Sequence, residues 1–347
     1  MKKLLPLAVA TAILGTASAL AQVKVNDSLS VTGWAVSSYQ YTKVQPGTWS
    51  DSLNLDAALL SAIITPTKGV TGTFSVYYRP SAEGGVSPGG SEVTLLDAYF
   101  SYDAGGGLTI SAGKFLSNLG YESFYQISDN MITLANQQLL APIPGYHEGV
   151  KLDYSPDKTS TMGVVVADSL YQKPGYNATE GDGELKHNGG FEAYYTYTGV
   201  SNLVIWAGAG YQTKTQPGVD TSGVSYPGGK PITVLDLWAT YQIDKTSSVA
   251  VEEIYKDGGP GFDGSPNNKG SNWLAYYQYN FSDKLSSWVG VSGEDVTGGA
   301  RYVKYSISPT YALTANLSVR AQYSYTKYND FTVNSANFLG AEVLFKF

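Results

Sequence analysis

Leu317-Ser318-Val319-Arg320-Ala321-Gln322-Tyr323-Ser324-Tyr325-Thr326 is the stretch that decides the fold. Leu317, Val319, Ala321, Tyr323 and Tyr325 alternate with Ser318, Arg320, Gln322, Ser324 and Thr326. A period of two gives a strand one apolar and one polar face. Val70 to Arg79 repeats the pattern, with Val70, Gly72, Phe74, Val76 and Tyr78 against Thr71, Thr73, Ser75, Tyr77 and Arg79. Alternation runs through most of the chain, and helical periodicity is nearly absent. A soluble sandwich would bury the apolar face; a membrane barrel would turn it to lipid.

The spacing of the turns separates these two cases. Seven connections read as short: Pro66 to Gly69, Ala104 to Gly107, Ser155 to Thr159, Gly199 to Asn202, Asp244 to Thr246, Ser282 to Lys284, and Pro309 to Asn316. Between them lie eight mostly longer ones: Lys43 to Ser52, Pro80 to Glu92, Phe115 to Gly149, Tyr171 to Gly190, Lys214 to Pro231, Asp257 to Ser271, Glu294 to Gly299, and Tyr328 to Asn334. Short and long alternate, which predicts about sixteen strands (14–18) with both chain ends on the short-turn side. The expected fold is therefore an all-β, antiparallel up-and-down transmembrane barrel with short periplasmic turns and long external loops.

Composition points the same way. Only 15% of the 347 residues are charged, against 39 Gly, 28 Tyr and no Cys. Soluble domains average about 25% charged residues. A hydrophobic share of 43% is too high for a disordered chain. The missing Cys excludes disulfides, thiolate metal sites and Cys nucleophiles. A net charge of -7 is the wrong sign for nucleic-acid binding.

Lys2 and Lys3, the apolar run Leu4 to Leu14, and Ala19-Leu20-Ala21 read as a signal peptide over residues 1–21, cut before Gln22. Residues 22–347 then form a single barrel domain. Beyond residue 22 the nearest thing to an apolar span is Leu53 to Ile64, broken by Asn54, Asp56 and Ser61. It falls short of the ~18 residues a membrane helix needs. The expected location is the bacterial outer membrane.

Aromatic residues fall beside the short turns. Tyr102, Tyr154, Tyr197, Tyr241 and Phe281 end strands running toward them, and Phe345 and Phe347 end the chain. Rings of this kind suit a bilayer interface, so they read as one aromatic girdle. An unpaired sheet edge is too costly in hydrocarbon, so the first strand (about Leu29 to Thr42) must pair with the last (about Asn337 to Phe347). A barrel of this size is expected to hold water rather than a side-chain core.

The final strand, Asn337 to Phe347, resembles the C-terminal signature of bacterial outer-membrane proteins, which implies recognition by the assembly machinery. Ser111-Ala112-Gly113-Lys114-Phe115-Leu116-Ser117-Asn118-Leu119-Gly120-Tyr121-Glu122 is more particular. With Leu95 to Tyr102 before it and Pro142 to Leu152 after it, this stretch resembles the putative beta-barrel porin family with OmpL-like members. The resemblance implies an outer-membrane porin that admits small hydrophilic solutes or ions, facing outer-membrane lipid. It does not supply a particular solute. Analogy with porins of this strand number adds a homotrimer.

In general porins the third loop folds inward, which makes residues 115–149 the constriction candidate. A 35-residue structureless connection is uncommon and usually functional. Pore-lining or constriction candidates are Arg79, Asp97, Lys114, Glu122, Asp129, Lys151, Asp153, Asp236, Lys304 and Arg320. Mixed signs in a wide lumen would set up a transverse field. The alternative is a non-conducting barrel that serves structure or surface recognition through its external loops.

An enzyme is not expected. His147 and His187 both fall in predicted loops, and no motif supplies a Ser-His-acid arrangement. Gly259-Pro260-Gly261-Phe262-Asp263-Gly264 fits G-x-G-x-x-G, but with Pro inside and no helix following it reads as loop. No cofactor is expected. Glu180-Gly181-Asp182-Gly183-Glu184 and Asp257 to Asp263 offer carboxylates of the kind Ca²⁺ takes, a pattern that acidic surface loops also produce by chance.

Overall fold

The computed structural model describes residues 22–79, 93–122, 130–135, 140, 142–171, 189–213, 218–219, 225–226, 230–259, 269–329 and 332–347. The expected signal peptide, Asp129, His187 and the acidic stretch at 180–184 lie outside them.

Sixteen strands follow one another around a closed antiparallel sheet. They are β1 (Leu29–Gln45), β2 (Trp49–Thr67), β3 (Val70–Tyr78), β4 (Val93–Gly105), β5 (Leu108–Leu116), β6 (Tyr146–Tyr154), β7 (Ser160–Ala167) and β8 (Gly190–Tyr197). Then come β9 (Leu203–Gln212), β10 (Ile232–Gln242), β11 (Ser247–Asp257), β12 (Lys269–Asn280), β13 (Leu285–Val296), β14 (Arg301–Ala312), β15 (Leu317–Asn329) and β16 (Ser335–Lys346). Each strand pairs with the next, and β16 pairs with β1 from Ser335↔Gln45 to Lys346↔Trp34. Closure leaves no edge that hydrocarbon would have to meet.

The seam is reinforced at the end of the chain. Gly33 and Phe347 exchange both backbone hydrogen bonds at 3.0 Å, and Thr32 Oγ1 donates to the Phe347 carbonyl at 2.9 Å. Any Cβ on Gly33 would stand 2.8 Å from the Phe347 ring, so the glycine makes room for the terminal aromatic.

Exposure is inverted relative to a soluble protein. On β15 Tyr323 is 47% exposed while its neighbour Gln322 is 1% exposed. On β3 Phe74 and Val76 are exposed and Thr73, Ser75 and Tyr77 are buried. The apolar face looks out and the polar face looks in, a surface matched to hydrocarbon rather than water. Among the described residues no helix is long and apolar enough to cross a membrane.

The predicted sorting of connections holds only in part. Residues 46–48, 297–300 and 330–334 are short connections on the side where long loops were expected. The sequence there is polar, but the backbone ladder continues through it: Lys43 pairs with Trp49 and Tyr41 with Asp51. Ladder hydrogen bonds do not require apolar side chains, so beyond the apolar band a strand can read as loop. The third connection is likewise shorter, at 117–145, because β5 runs to Leu116 and β6 starts at Tyr146.

Pro309 lies inside β14 rather than in a turn. The β14–β15 pairing is interrupted between Ile307↔Tyr323 and Thr310↔Arg320 with no change of register, as a residue without an N–H requires, while Ser287↔Pro309 keeps the other side in step. At the same rim Gly107, with φ +85°, is required in the β4–β5 turn. A Cβ there would fall 2.1 Å from the Ser155 carbonyl oxygen.

Candidate functional site

Strand alternation places a row of polar side chains on the inner face of β8 to β15. The segment after β5 is fastened to that row through its own peptide groups. Ser117 Oγ donates to Glu192 Oε1 at 2.5 Å, and the Asn118 amide to Glu192 Oε2 at 3.3 Å. The Gly120 amide donates to Asp236 Oδ2 at 2.7 Å, and the Tyr121 amide to Glu252. Further along, Gln322 Oε1 accepts from the amides of Ile132 at 2.5 Å and Thr133 at 3.0 Å. Glu294 Oε2 accepts from the Leu140 amide at 3.3 Å.

Cations and hydroxyls take the carbonyls. Lys256 Nζ donates to the Leu140 carbonyl at 2.8 Å. Lys304 Nζ donates to the carbonyls of Thr133, at 3.2 Å, and Leu134. Tyr302 Oη reaches the Ala135 carbonyl at 2.5 Å. Buried peptide groups outside a ladder must find partners. Here the wall supplies them, and many of the bonds carry a charge on one side, the stronger kind.

Within the segment, Glu122 ties two parts together. It accepts from Tyr276 Oη at 2.6 Å and from the Ala135 amide at 2.5 Å. Burial holds its carboxyl above the usual range, opposed by the nearby Lys304 and by these two hydrogen bonds.

Apolar packing accompanies the polar fastening. Leu119, with Tyr121 and Ile143, packs on Trp206, Val234, Trp238 and Ile254. Tyr194, Trp206 and Trp238 form a stacked row, with centroids 6.1 and 5.7 Å apart. Tyr171 joins from the fourth connection and donates to the Pro142 carbonyl. A second cluster holds Trp34, Val36, Leu59, Tyr77 and Leu96. The inner face therefore carries large apolar side chains as well as polar ones. Segments that cover the wall make apolar contact there, and the wall residues opposite them are apolar to match.

The structure distributes the predicted residues among several settings. Glu122, Asp236 and Lys304 belong to the fastening just described. Lys151 and Asp153 lie together on the inner face of β6, 3.4 Å apart, and Tyr194 Oη donates to Asp153 at 2.6 Å. Arg320 pairs with Glu342 at 2.9 Å on the inner face of β15 and β16. Arg79 follows β3 at the rim of the long connections, and Asp97 sits in a β4 bulge between Leu95 and Ala98.

Lys114 stands elsewhere. It shares the outward row of β5 with Ala112 and donates to the Leu95 carbonyl at 3.0 Å, so it does not line the lumen. The positive φ of Gly113 does not shift the register. The residues assigned to the girdle all lie at the short-turn rim, where Leu108↔Tyr154, Ser160↔Tyr197 and Leu203↔Tyr241 are register pairs.

Lys256, Asn272, Tyr276, Glu294, Tyr302 and Gln322 were not singled out from the sequence, and neither was Glu252. For Glu252 the signal was present: Val249 and Val251 fix the outward phase, which sends Glu252 inward and Glu253 outward. Glu294 was hidden by its assignment to a loop.

Ser117, His147 and Glu192 do meet, yet not as a catalytic relay. His147 Nε2 lies 2.8 Å from the Glu192 oxygen that Ser117 also occupies. A hydrolase needs the imidazole between hydroxyl and carboxylate; here the carboxylate stands between the other two. Among the described residues no group of three or more His, Asp or Glu could hold a metal ion.

A closed sixteen-strand barrel, apolar outside and crossed inside by a fastened segment, defines the class of outer-membrane channels. The family model described as putative beta-barrel porin-2, OmpL-like, matches residues 86–347, and the chain belongs to that family. No curated protein matches it. Among solved structures the outer membrane channel DcaP of Acinetobacter baumannii is similar at TM-score 0.67 and 12% identity, covering 94% of this chain and 100% of that one. Salmonella typhi OmpF, in complex with daunomycin, is similar at TM-score 0.67 and 13% identity, with 94% and 100% covered. The anion-selective porin from Comamonas acidovorans follows at TM-score 0.62 and 12% identity, with 92% and 99% covered. At these identities the likeness concerns the fold. The chain is a porin of the outer membrane, and its family and fold are those of non-enzymatic channels.

Proposed function

We propose that the protein lets small hydrophilic solutes diffuse through its lumen and that the segment between β5 and β6 narrows the passage. The observation that carries this reading is the set of wall side chains, from Glu192 on β8 to Gln322 on β15, bonded to peptide groups of residues 117–140. A segment held this way stands across the lumen. Removal of residues 1–21 on export and assembly through the Phe347-terminated strand complete the reading.

A second reading has its own support. The apolar clusters at Trp34 and at Trp206 occupy inner-face positions that water would otherwise wet. They fit a lumen closed by its own loops, with the outer rim serving recognition. Single-channel recording in a planar bilayer decides between the two. Diffusion predicts stable ohmic steps that grow when residues 130–135 are deleted. A correctly folded protein that conducts in neither form would overturn it.

A further inference from the structure

Among the described strand residues, alternation sends more acid than base to the inner face of the wall. On the side that carries the fastened segment, Glu192, Asp236, Glu252 and Glu294 stand with Lys256 and Lys304. On the remaining wall Asp56, Asp153 and Glu342 stand with Lys151 and Arg320. At the short-turn mouth Asp103 and Lys346 offset each other. Lys114, Glu148 and Glu253 leave the barrel on the outward rows of β5, β6 and β11, so they take no part in this balance.

The two signs are also placed differently. Lys256 is 0% and Lys304 2% exposed, because both ammonium groups are turned onto carbonyls of the segment, at Leu140 and at Thr133 and Leu134. Arg320 is held against Glu342. Lys151 is the most accessible of the four cations, yet it lies 3.4 Å from Asp153 and 5.7 Å from the centre of the Phe115 ring. Each cation is therefore engaged with the protein's own acceptors. The acids behind the segment accept from peptide N–H groups, the kind of charge-assisted bond that a carboxylate makes. Seven carboxylates against four cations leave an excess of three negative charges around the lumen.

We infer that the passage selects cations over anions, with Asp56, Asp153 and the carboxylates behind the segment setting the preference. Low-dielectric walls lined by one sign of charge focus their field into the water between them, and rings of Asp and Glu are a general means of passing cations. At 0.1 M ionic strength charges act over about 10 Å, so an excess of three is expected to favour K⁺ over Cl⁻ about fivefold. Small cations and amine-bearing hydrophilic solutes are then the favoured class, and carboxylated solutes are held back. The inference rests on the diffusion reading and names the class of solute that reading leaves open.

Reversal potentials across a planar bilayer under a KCl gradient provide the test. The wild-type K⁺/Cl⁻ permeability ratio should be about 5 near 0.1 M salt and fall toward one near 1 M, where the Debye length is about 3 Å. Asp56→Asn with Asp153→Asn keeps the acceptors used by Ser38 and Tyr194 and should lower the ratio about twofold or more. Glu252→Gln still accepts from the Tyr121 amide and should lower it as well, which supplies a second reading if the double variant does not fold. Glu253→Gln removes a carboxylate from the outward face and should leave the ratio unchanged. Gel mobility before and after boiling confirms that each variant is a folded barrel. A wild-type ratio at or below one, or an equal shift from Glu253→Gln and the inner-face variants, overturns the inference and leaves diffusion standing. A folded protein that conducts nothing removes both.

Discussion

Replacing Gln322 by Ala tests the fastening most sharply. The Gln322 carboxamide accepts from the Ile132 and Thr133 amides and donates to Thr133 Oγ1 at 2.6 Å. Each net hydrogen bond contributes about 0.5–1.5 kcal/mol, and a buried donor left without an acceptor costs about 1–3 kcal/mol. Water in the lumen would satisfy part of what is exposed, so about 2 kcal/mol is expected. That corresponds to about a 30-fold rise in local opening, since every 1.4 kcal/mol is tenfold. The cost should fall on the segment alone, because the sheet ladder around Gln322 is untouched. Hydrogen exchange at the Ile132 and Thr133 amides should therefore quicken about 30-fold while exchange in β14 to β16 stays as before. Gln322→Glu keeps the acceptor and should lie close to wild type. Unchanged exchange at both amides in Gln322→Ala would refute the reasoning.

Three further perturbations follow from the same geometry. Glu122→Ala should broaden channel noise by freeing Ala135 and Tyr276, whereas Glu122→Gln, which still accepts, should remain quiet in the same recordings. Arg320→Met strands the carboxylate of Glu342 and should cost about 3 kcal/mol in urea unfolding from detergent; Arg320→Met with Glu342→Leu should recover most of it. Hydrogen bonds from Thr159 and Ser160 hold the Asp157 carboxyl below its usual range. A depressed carboxylate stabilises the fold above the unfolded-state pKa and loses that contribution as pH falls through the folded value. The gap in unfolding midpoint between wild type and Asp157→Ala should thus be full at neutral pH and close in acid.

The barrel was legible because alternation is a local property. Tyr323 against Gln322, or Phe74 against Ser75, can be assigned without knowing what lies across the sheet. Strand ends were less legible, since Lys43 and Trp49 pair through backbone groups that leave no trace in side-chain character. The fastening was harder still. Lys304 and Asp236 could be placed on the inner face, but their partners are main-chain groups of a distant segment, and a carbonyl looks the same at every residue. Lys114 shows the opposite hazard: a charge in an apolar row invites reassignment to the polar face, although the alternation around Ala112 had already settled its direction.

The join between Gly33 and Phe347 sets a schedule for the whole molecule. The first strand must wait, unmated on one flank, until the strand Ser335–Lys346 has been delivered, because each earlier strand is already paired on both sides. Loss of the whole of Ser335–Lys346 would leave a gap running the full height of the wall.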